Sequence, residues 1–189
     1  MATIHHTTMA PTKLELLTHW LPGQTWFVGK GSPELSRVGG FRLDDPTGAV
    51  GLEFLLVTDG AGGGETTYFV PLTYRAAPLD GADGALLGTS EHGVLGTRWI
   101  YDAAHDPVAI AQLLEFVQGR AEAQHQNRSD TPDPSVGRSW SAADDEPAQL
   151  EVVRVPRAGE PTSGRGWVEV DWQRLDGSPA RGVVVARVR

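Results

Sequence analysis

The 189-residue sequence contains no cysteine, and this absence excludes disulfides, thiolate metal sites, iron–sulfur clusters and cysteine nucleophiles. Lysine is also scarce, with only Lys13 and Lys30, and the formal net charge is -8. Because no basic run concentrates positive charge on one face, we expect no nucleic-acid partner. No apolar stretch reaches membrane-spanning length, and the first residues lack the basic start and apolar run of a signal peptide. These features predict a cytoplasmic protein with no membrane partner.

The clearest secondary structure is a strand followed directly by a helix near the middle of the chain. Residues 97–102 alternate between two faces, which is the period-two pattern of a half-buried strand. Asp106 followed by Pro107 then predicts a helix start, because the carboxylate accepts amide hydrogens of the first turn and proline has no donor to leave unpaired there. Apolar residues recur with helical spacing over the following turns, and Gly119 ends the helix.

A shorter helix and several strands precede this pair. The helix is predicted over residues 12–20, where Thr12 and Glu15 have the spacing of a capping box. Period-two patterns predict strands at the following residues: 35–43, 50–56 and 66–74. Pro71 falls inside the last of them, which predicts an edge strand or a bulge. Residues 86–93 are expected to form an extended or short helical connection.

The domain organisation follows from a change in composition after residue 120. Residues 1–120 are expected to form an α+β core, in which an antiparallel sheet packs on one long helix and the helices lie on one face. Residues 121–148 are polar, proline-rich and then acidic, which predicts a mobile linker. Strand patterns return over residues 149–189, and we expect these strands to pack on the same sheet.

Asp102, His105 and Asp106 form the tightest cluster of titratable residues, and two interpretations are open. Two carboxylates and an imidazole gathered at a strand-to-helix corner could bind a divalent metal or move a proton. Alternatively, Asp106 caps the helix, Asp102 accepts turn amides and His105 occupies the turn. The structural interpretation is favoured because capping already accounts for Asp106, and no metal site is predicted.

Four residues are candidates for ligand binding: Trp20, Trp26, Lys30 and Trp99. Indole rings stack on the faces of sugars, so the tryptophans could line a carbohydrate groove; the alternative is that they belong to the core. Lys30 lies between two glycines, but the spacing does not match that of a phosphate-binding loop. No catalytic residue is predicted.

An ordered set of short motifs gives a family resemblance: Trp20-Leu21-Pro22, Trp26-Phe27, Gly29-Lys30-Gly31, Val70-Pro71-Leu72-Thr73-Tyr74-Arg75, Trp99-Ile100-Tyr101-Asp102 and His105-Asp106-Pro107-Val108. Over residues 13–119 the chain resembles the N-terminal cap domain of actinobacterial maltokinases. This resemblance implies a cystatin-like arrangement, in which a curved antiparallel sheet wraps against a helix. It also implies a setting in maltose, trehalose and α-glucan metabolism.

Maltokinases carry their chemistry in a kinase-like region after the cap, with a His-Gly-Asp-type loop and a metal-binding aspartate, and neither pattern occurs in this sequence. We therefore expect a free-standing, non-catalytic cap-like protein without a cofactor, which docks on or regulates a sugar kinase or a glucan-processing enzyme. One alternative is a module that binds a carbohydrate or a nucleotide in a pocket between sheet and helix, near Trp26 and Trp99. Another is an enzyme that works through Asp102 and His105.

Overall fold

The computed structural model describes residues 9–140, 149–159 and 166–188, and this part of the chain consists of an antiparallel sheet with two short helices. The helices are α1, Lys13–Trp20, and α2, Pro107–Val117. Ten strands are described: β1 Met9–Ala10, β2 Leu35–Leu43, β3 Gly51–Asp59, β4 Thr66–Arg75, β5 Leu86–His92, β6 Gly96–Asp102, β7 Gly137–Ser139, β8 Gln149–Val152, β9 Trp167–Gln173 and β10 Pro179–Val188. The predicted α+β class is confirmed. Neither described helix has the length and apolar character needed to cross a membrane.

The strands form one sheet in the order β1-β5-β6-β4-β3-β2-β9-β10-β8, and β7 pairs with β9 outside this path. The C-terminal strands join the rest where Gly39 of β2 lies opposite Trp172 of β9. A Cβ atom at Gly39 would lie 2.9 Å from the carbonyl oxygen of Asp171. The absence of a side chain at Gly39 is therefore what allows β9 to approach β2 so closely.

Most predicted elements lie where the sequence places them. The cap of α1 is Thr12, which forms both hydrogen bonds of the capping box with Glu15. Asp106 caps α2, and Gly119 follows the helix with a φ of 83°. Residues 86–92, expected to form a connection, are strand β5, because they pair with β6 in an antiparallel hairpin.

The prediction for Pro71 was wrong. Strand β4 lies inside the sheet between β3 and β6, and its pairing with β3 has no bulge at Pro71. Backbone amides alternate in direction along a strand, so the nitrogen of Pro71 points the same way as the amide of Phe69, which donates to the carbonyl of Arg154 at 2.9 Å. Pairing with β6 begins only at Leu72. Pro71 therefore lies where no ladder hydrogen bond is required of it.

The expectation that both helices lie on one face of the sheet was also wrong. Alternate side chains of β3 point to opposite faces. One face, with Leu52, Phe54 and Leu56, is buried in the same cluster as side chains of α2. The other face, with Leu55 and Val57, is buried in the same cluster as side chains of α1. The central strands are therefore covered on both sides, by one helix each.

The sheet curves until its last strand approaches its middle. The carbonyl that accepts from Phe69 of β4 belongs to Arg154, two residues after β8. The strands β4, β3, β2, β9, β10 and β8 thus surround the core on the α2 side. Buried residues of that core come from both halves of the chain, for example Phe41, Phe116 and Val184.

The described part of the predicted linker, residues 121–140, packs on the sheet. Ala123 is buried in the core on the α2 side. Gln124 exchanges two backbone hydrogen bonds with Arg42 of β2, at 2.8 and 2.9 Å, and β7 pairs with β9. Composition does not predict these contacts, because they depend on partners distant in sequence. Residues 141–148 lie outside the described residues.

Candidate functional site

The corner between β6 and α2 holds the predicted polar cluster, and its first carboxylate forms an ion pair. Asp102, at the end of β6, is buried, and its Oδ2 accepts from Nη2 of Arg154 at 2.6 Å. Its Oδ1 accepts from the amide of Ala104 at 3.2 Å, as expected for a residue that caps a turn. Both oxygens of Asp102 are therefore engaged by groups of the fold.

The second carboxylate, Asp106, has a different arginine. Asp106 is completely buried and accepts from Nε and Nη2 of Arg75 at 2.6 and 2.7 Å. It also accepts from the amide of Val108 at 3.0 Å, which caps α2. Burial alone raises the pKa of Asp106, but the hydrogen bonds and the charge of Arg75 outweigh it and hold that pKa below its ordinary value. Asp106 is therefore a fixed anion that joins β4 to α2.

His105 stands apart from the two ion pairs. Its side chain is 65% exposed, and Nε2 lies 4.0 Å from Oδ2 of Asp102, which is too long for a hydrogen bond. Within residues 9–140, 149–159 and 166–188, no three histidine, aspartate or glutamate side chains are placed to hold a metal ion. The geometry of the corner fits the structural interpretation of this cluster.

Trp26 is at the centre of an aromatic cluster on the α1 side of the sheet. Its ring centroid lies 5.8 Å from that of Trp20 and 6.0 Å from that of Tyr68. The guanidinium of Arg154 lies over the Trp26 ring at 4.8 Å, so this arginine contacts an aromatic face and a carboxylate together. Arg154 therefore connects Trp26 to Asp102, two residues that no local sequence pattern links.

The other two ligand-binding candidates lie elsewhere. Trp99 is half-buried and alternates with Ile100, which packs in the α1-side cluster, so Trp99 points to the opposite face from Trp26. Lys30 is exposed in the loop that follows the aromatic pair. The structure therefore brings Trp20 and Trp26 together but does not bring Trp99 to them.

A second buried polar cluster, centred on Glu53 of β3, was missed by the sequence analysis. Glu53 is 5% exposed and accepts from Nζ of Lys13 and from the hydroxyl of Tyr74, each at 2.6 Å. Burial, and then the neighbouring carboxylate, raise the pKa of Tyr74 well above its ordinary value, so the hydroxyl remains a donor at neutral pH. The sequence signal was a charged residue with apolar residues on both sides of it in the strand. Because Lys13 belongs to α1, the cluster links α1 to the sheet.

Replacing Tyr74 with phenylalanine is expected to lower the free energy of unfolding by about 2 kcal/mol, because the buried Glu53 carboxylate loses a charged hydrogen bond. The matched control is Tyr101→Phe, which removes a hydroxyl that accepts from the amide of Leu79 at 2.9 Å. That neutral hydrogen bond contributes about 1 kcal/mol. Urea unfolding of both variants measures the difference, and an equal loss in the two would contradict a special role for Glu53.

A cavity with a volume of about 830 Å³ lies between α2 and β8. Phe54 and Pro71 of the sheet form its floor, Ala109 and Leu113 of α2 form one wall, and β8 forms the other. Its lining contains neither Trp26 nor Trp99. A pocket between sheet and helix therefore exists, but its walls are not the aromatic residues predicted to bind a ligand.

Comparison with known protein families finds a match in the first part of the chain. Residues 20–106 match the family described as the Maltokinase N-terminal cap domain. The match confirms the resemblance for the segment from Trp20 to Asp106, which contains β2 to β6. Among curated proteins, no match to the chain was found.

Proposed function

We propose that this chain is a non-catalytic cap-like protein that docks on, or regulates, an enzyme of maltose, trehalose or α-glucan metabolism. The observation that carries the proposal is the match of residues 20–106 to the maltokinase cap family. The partner is a sugar kinase or a glucan-processing enzyme. The protein acts in the cytoplasm, the compartment that supplies ATP to such a kinase.

The shape of the sheet supports a cap of the cystatin-like type that the resemblance implies. The curved strands β2, β3 and β4 place Phe41, Phe54 and Phe69 in one buried cluster with Phe116 of α2. The rings of Phe41 and Phe54 stack with centroids 4.6 Å apart. An antiparallel sheet wrapped against a helix in this way is a rigid support for a docking surface.

The engagement of the charged corner supports a non-catalytic role. Asp102 and Asp106 each hold an arginine and a backbone amide, so their oxygens serve the fold. A general base needs an oxygen or nitrogen free to reach a substrate proton. An enzyme that works through Asp102 and His105 has little support from this geometry.

We place the docking contact at the tip of the β5–β6 hairpin, inside the matched segment. Val94 and Leu95 are adjacent there and are 62% and 44% exposed. Their amides both donate to Nδ1 of His92, at 3.3 and 3.1 Å, so the tip is held in one conformation. A preorganised apolar pair can enter a pocket of a partner at a low entropic cost.

The experiment compares two tagged variants in pull-downs from lysate of the source cell. Val94→Asp/Leu95→Asp places charges at the tip, whereas Leu175→Asp changes an equally prominent residue, 49% exposed, outside the matched segment. We expect the wild type and Leu175→Asp to recover a sugar kinase or glucan-processing enzyme that the double variant does not. Equal recovery by both variants would exclude the hairpin tip, and recovery of no such enzyme would contradict the docking role.

A second measurement separates this proposal from catalysis. The purified chain is incubated with maltose and ATP, and maltose phosphate is measured against a sample without protein. We expect no phosphate transfer above that background. Robust phosphorylation that a point mutation in this chain abolishes would overturn the non-catalytic assignment.

A further inference from the structure

The cavity between α2 and β8 exists because, in the part of the chain that the structure describes, the curved sheet closes at only one hydrogen bond. Phe69 of β4 donates to the carbonyl of Arg154. Continued antiparallel pairing would next place Pro71 opposite Val152 of β8, but proline has no amide hydrogen to donate. Both Pro71 and Val152 line the cavity. The space is therefore an unclosed gap in the wall of the curved sheet, and not a defect of core packing.

Small side chains on the α2 side keep this gap open. Ala103 and Ala104 precede α2 and Ala109 lies in its first turns, and all three line the cavity. Leu113 and Leu150 close the sides with aliphatic carbon. A volume of about 830 Å³ is within the range of sites that enclose small molecules.

The charged groups of the lining do not offer a site for an anion. Among the described lining residues, Arg154 is the one cation, and its Nη2 is bound to Asp102. Its flat face is covered by Trp26, and its Nη1 is buried without a hydrogen-bond partner in the described residues. Glu151 adds a negative charge to the same wall. Nη1 of Arg154 thus remains a donor, but Asp102, Arg154 and Glu151 together carry a net negative charge, which disfavours a phosphate or carboxylate in the cavity.

The lining is equally unsuited to a sugar. Phe54 is the aromatic residue of the lining, and it is 1% exposed because it stacks on Phe41. It cannot present a ring face to a pyranose. Gln149, Glu151 and Arg154 supply polar atoms only on the β8 side of the lining. Most hydroxyl groups of a sugar would lie against alanine, leucine and proline side chains and would lose hydrogen bonds to water without replacement.

From these observations we propose that the gap between α2 and β8 binds an uncharged apolar small molecule, of the size of a medium acyl chain or a short isoprenoid. Its carbon chain lies against Leu113, Leu150 and Pro71, and a polar end points to solvent beside β8. This binding activity is independent of the docking surface at the β5–β6 hairpin.

The test uses the uncharged fluorescent probe N-phenyl-1-naphthylamine. With the wild-type chain we expect a saturable, single-site rise in fluorescence that 1-decanol reverses and that maltose and ADP do not. Ala104→Trp fills the gap and is expected to weaken probe binding by about tenfold or more. The matched control is Ala111→Trp, on an exposed position of α2 outside the lining, which is expected to change binding by less than about twofold.

A second pair of variants covers the case in which Ala104→Trp does not fold, as judged by circular dichroism. Ile110 lines the cavity and is 47% exposed, so Ile110→Asp places a charge at the mouth without disturbing the core. It is expected to weaken binding by about tenfold, whereas Ala111→Asp is expected to have little effect. The proposal is overturned if the wild type shows no saturable binding, if maltose or ADP displaces the probe, or if lining and control variants bind equally.

Discussion

Replacing Asp106 with asparagine is expected to lower the free energy of unfolding at neutral pH by about 3 kcal/mol. Asparagine keeps the size of the side chain and can still cap α2, so the change removes mainly the charge. The guanidinium of Arg75, whose side chain is 19% exposed, then lacks its anion. Urea unfolding followed by tryptophan fluorescence measures the loss.

The effect of this substitution has a defined dependence on pH. Because the pKa of Asp106 in the folded chain is below its ordinary value of about 3.9, the charge stabilises the fold fully above that pH. This contribution is lost as the pH falls through the folded-state pKa. The difference in the free energy of unfolding between the wild type and Asp106→Asn should therefore be largest near neutral pH and become smaller in acid. A difference that widens on acidification would contradict the assignment.

The expected loss of stability in Asp106→Asn is large because the Arg75–Asp106 ion pair is buried. An exposed ion pair of similar geometry elsewhere in the chain provides the control. Arg120 binds both oxygens of Glu115 through Nε and Nη2, at 2.7 and 2.6 Å, but these side chains are 55% and 38% exposed. Glu115→Gln is expected to change stability far less, because solvent screens an exposed pair. Equal losses for Glu115→Gln and Asp106→Asn would show that burial of the Arg75 pair adds nothing. The double variant Arg75→Met/Asp106→Asn should recover a large part of the loss, since no charge is left unpaired.

Replacing Gly40 with alanine is expected to lower the free energy of unfolding by about 4 kcal/mol, through a steric clash and backbone strain together. Gly40 has a φ of 129°, and a Cβ atom there would lie 2.1 Å from the carbonyl oxygen of Phe54 on the paired strand. The clash is with backbone, so no side-chain rotation relieves it. The clash would push β2 away from β3 at the centre of the sheet.

The control for Gly40 is Gly81→Ala. Gly81 also has a positive φ, 74°, but a Cβ atom there meets nothing within 4 Å. The free energy of unfolding of this variant should fall by about 1 kcal/mol, which is the cost of the left-handed conformation alone. Chemical unfolding of both variants separates the two causes, and similar losses would mean that β2 can move away from Phe54 without cost.

The helix starts could be predicted from the sequence because capping is a local interaction. Thr12 and Glu15 are three residues apart, and Asp106 bonds the amide of Val108 two residues on. Their geometry depends on neighbours in the chain and not on the rest of the fold. The strand faces were predictable for the same reason, since alternation is a property of the extended backbone.

The partners of the polar residues could not be predicted in this way. Arg154 is 52 positions from Asp102, and Arg75 is 31 positions from Asp106. Nothing in the local sequence of either arginine distinguishes it from a solvent-exposed residue. The near-continuous apolar run of β3 did contain a signal for burial on both faces, which is typical of central strands. This run predicts a helix on each face of the sheet, whereas the order of strands and helices along the chain had suggested that both helices lie on one face.

The sequence by itself determined the class of the fold, the ends of both helices, the faces of the central strands and the resemblance of residues 20–106 to the maltokinase cap domain. These follow from local backbone chemistry and from short ordered motifs. Only the tertiary structure decided that the helices cover opposite faces, that the C-terminal strands return to β4, and that Pro71 leaves a gap beside α2. Such features arise from contacts between residues far apart in the chain, and no local pattern encodes which distant groups will meet.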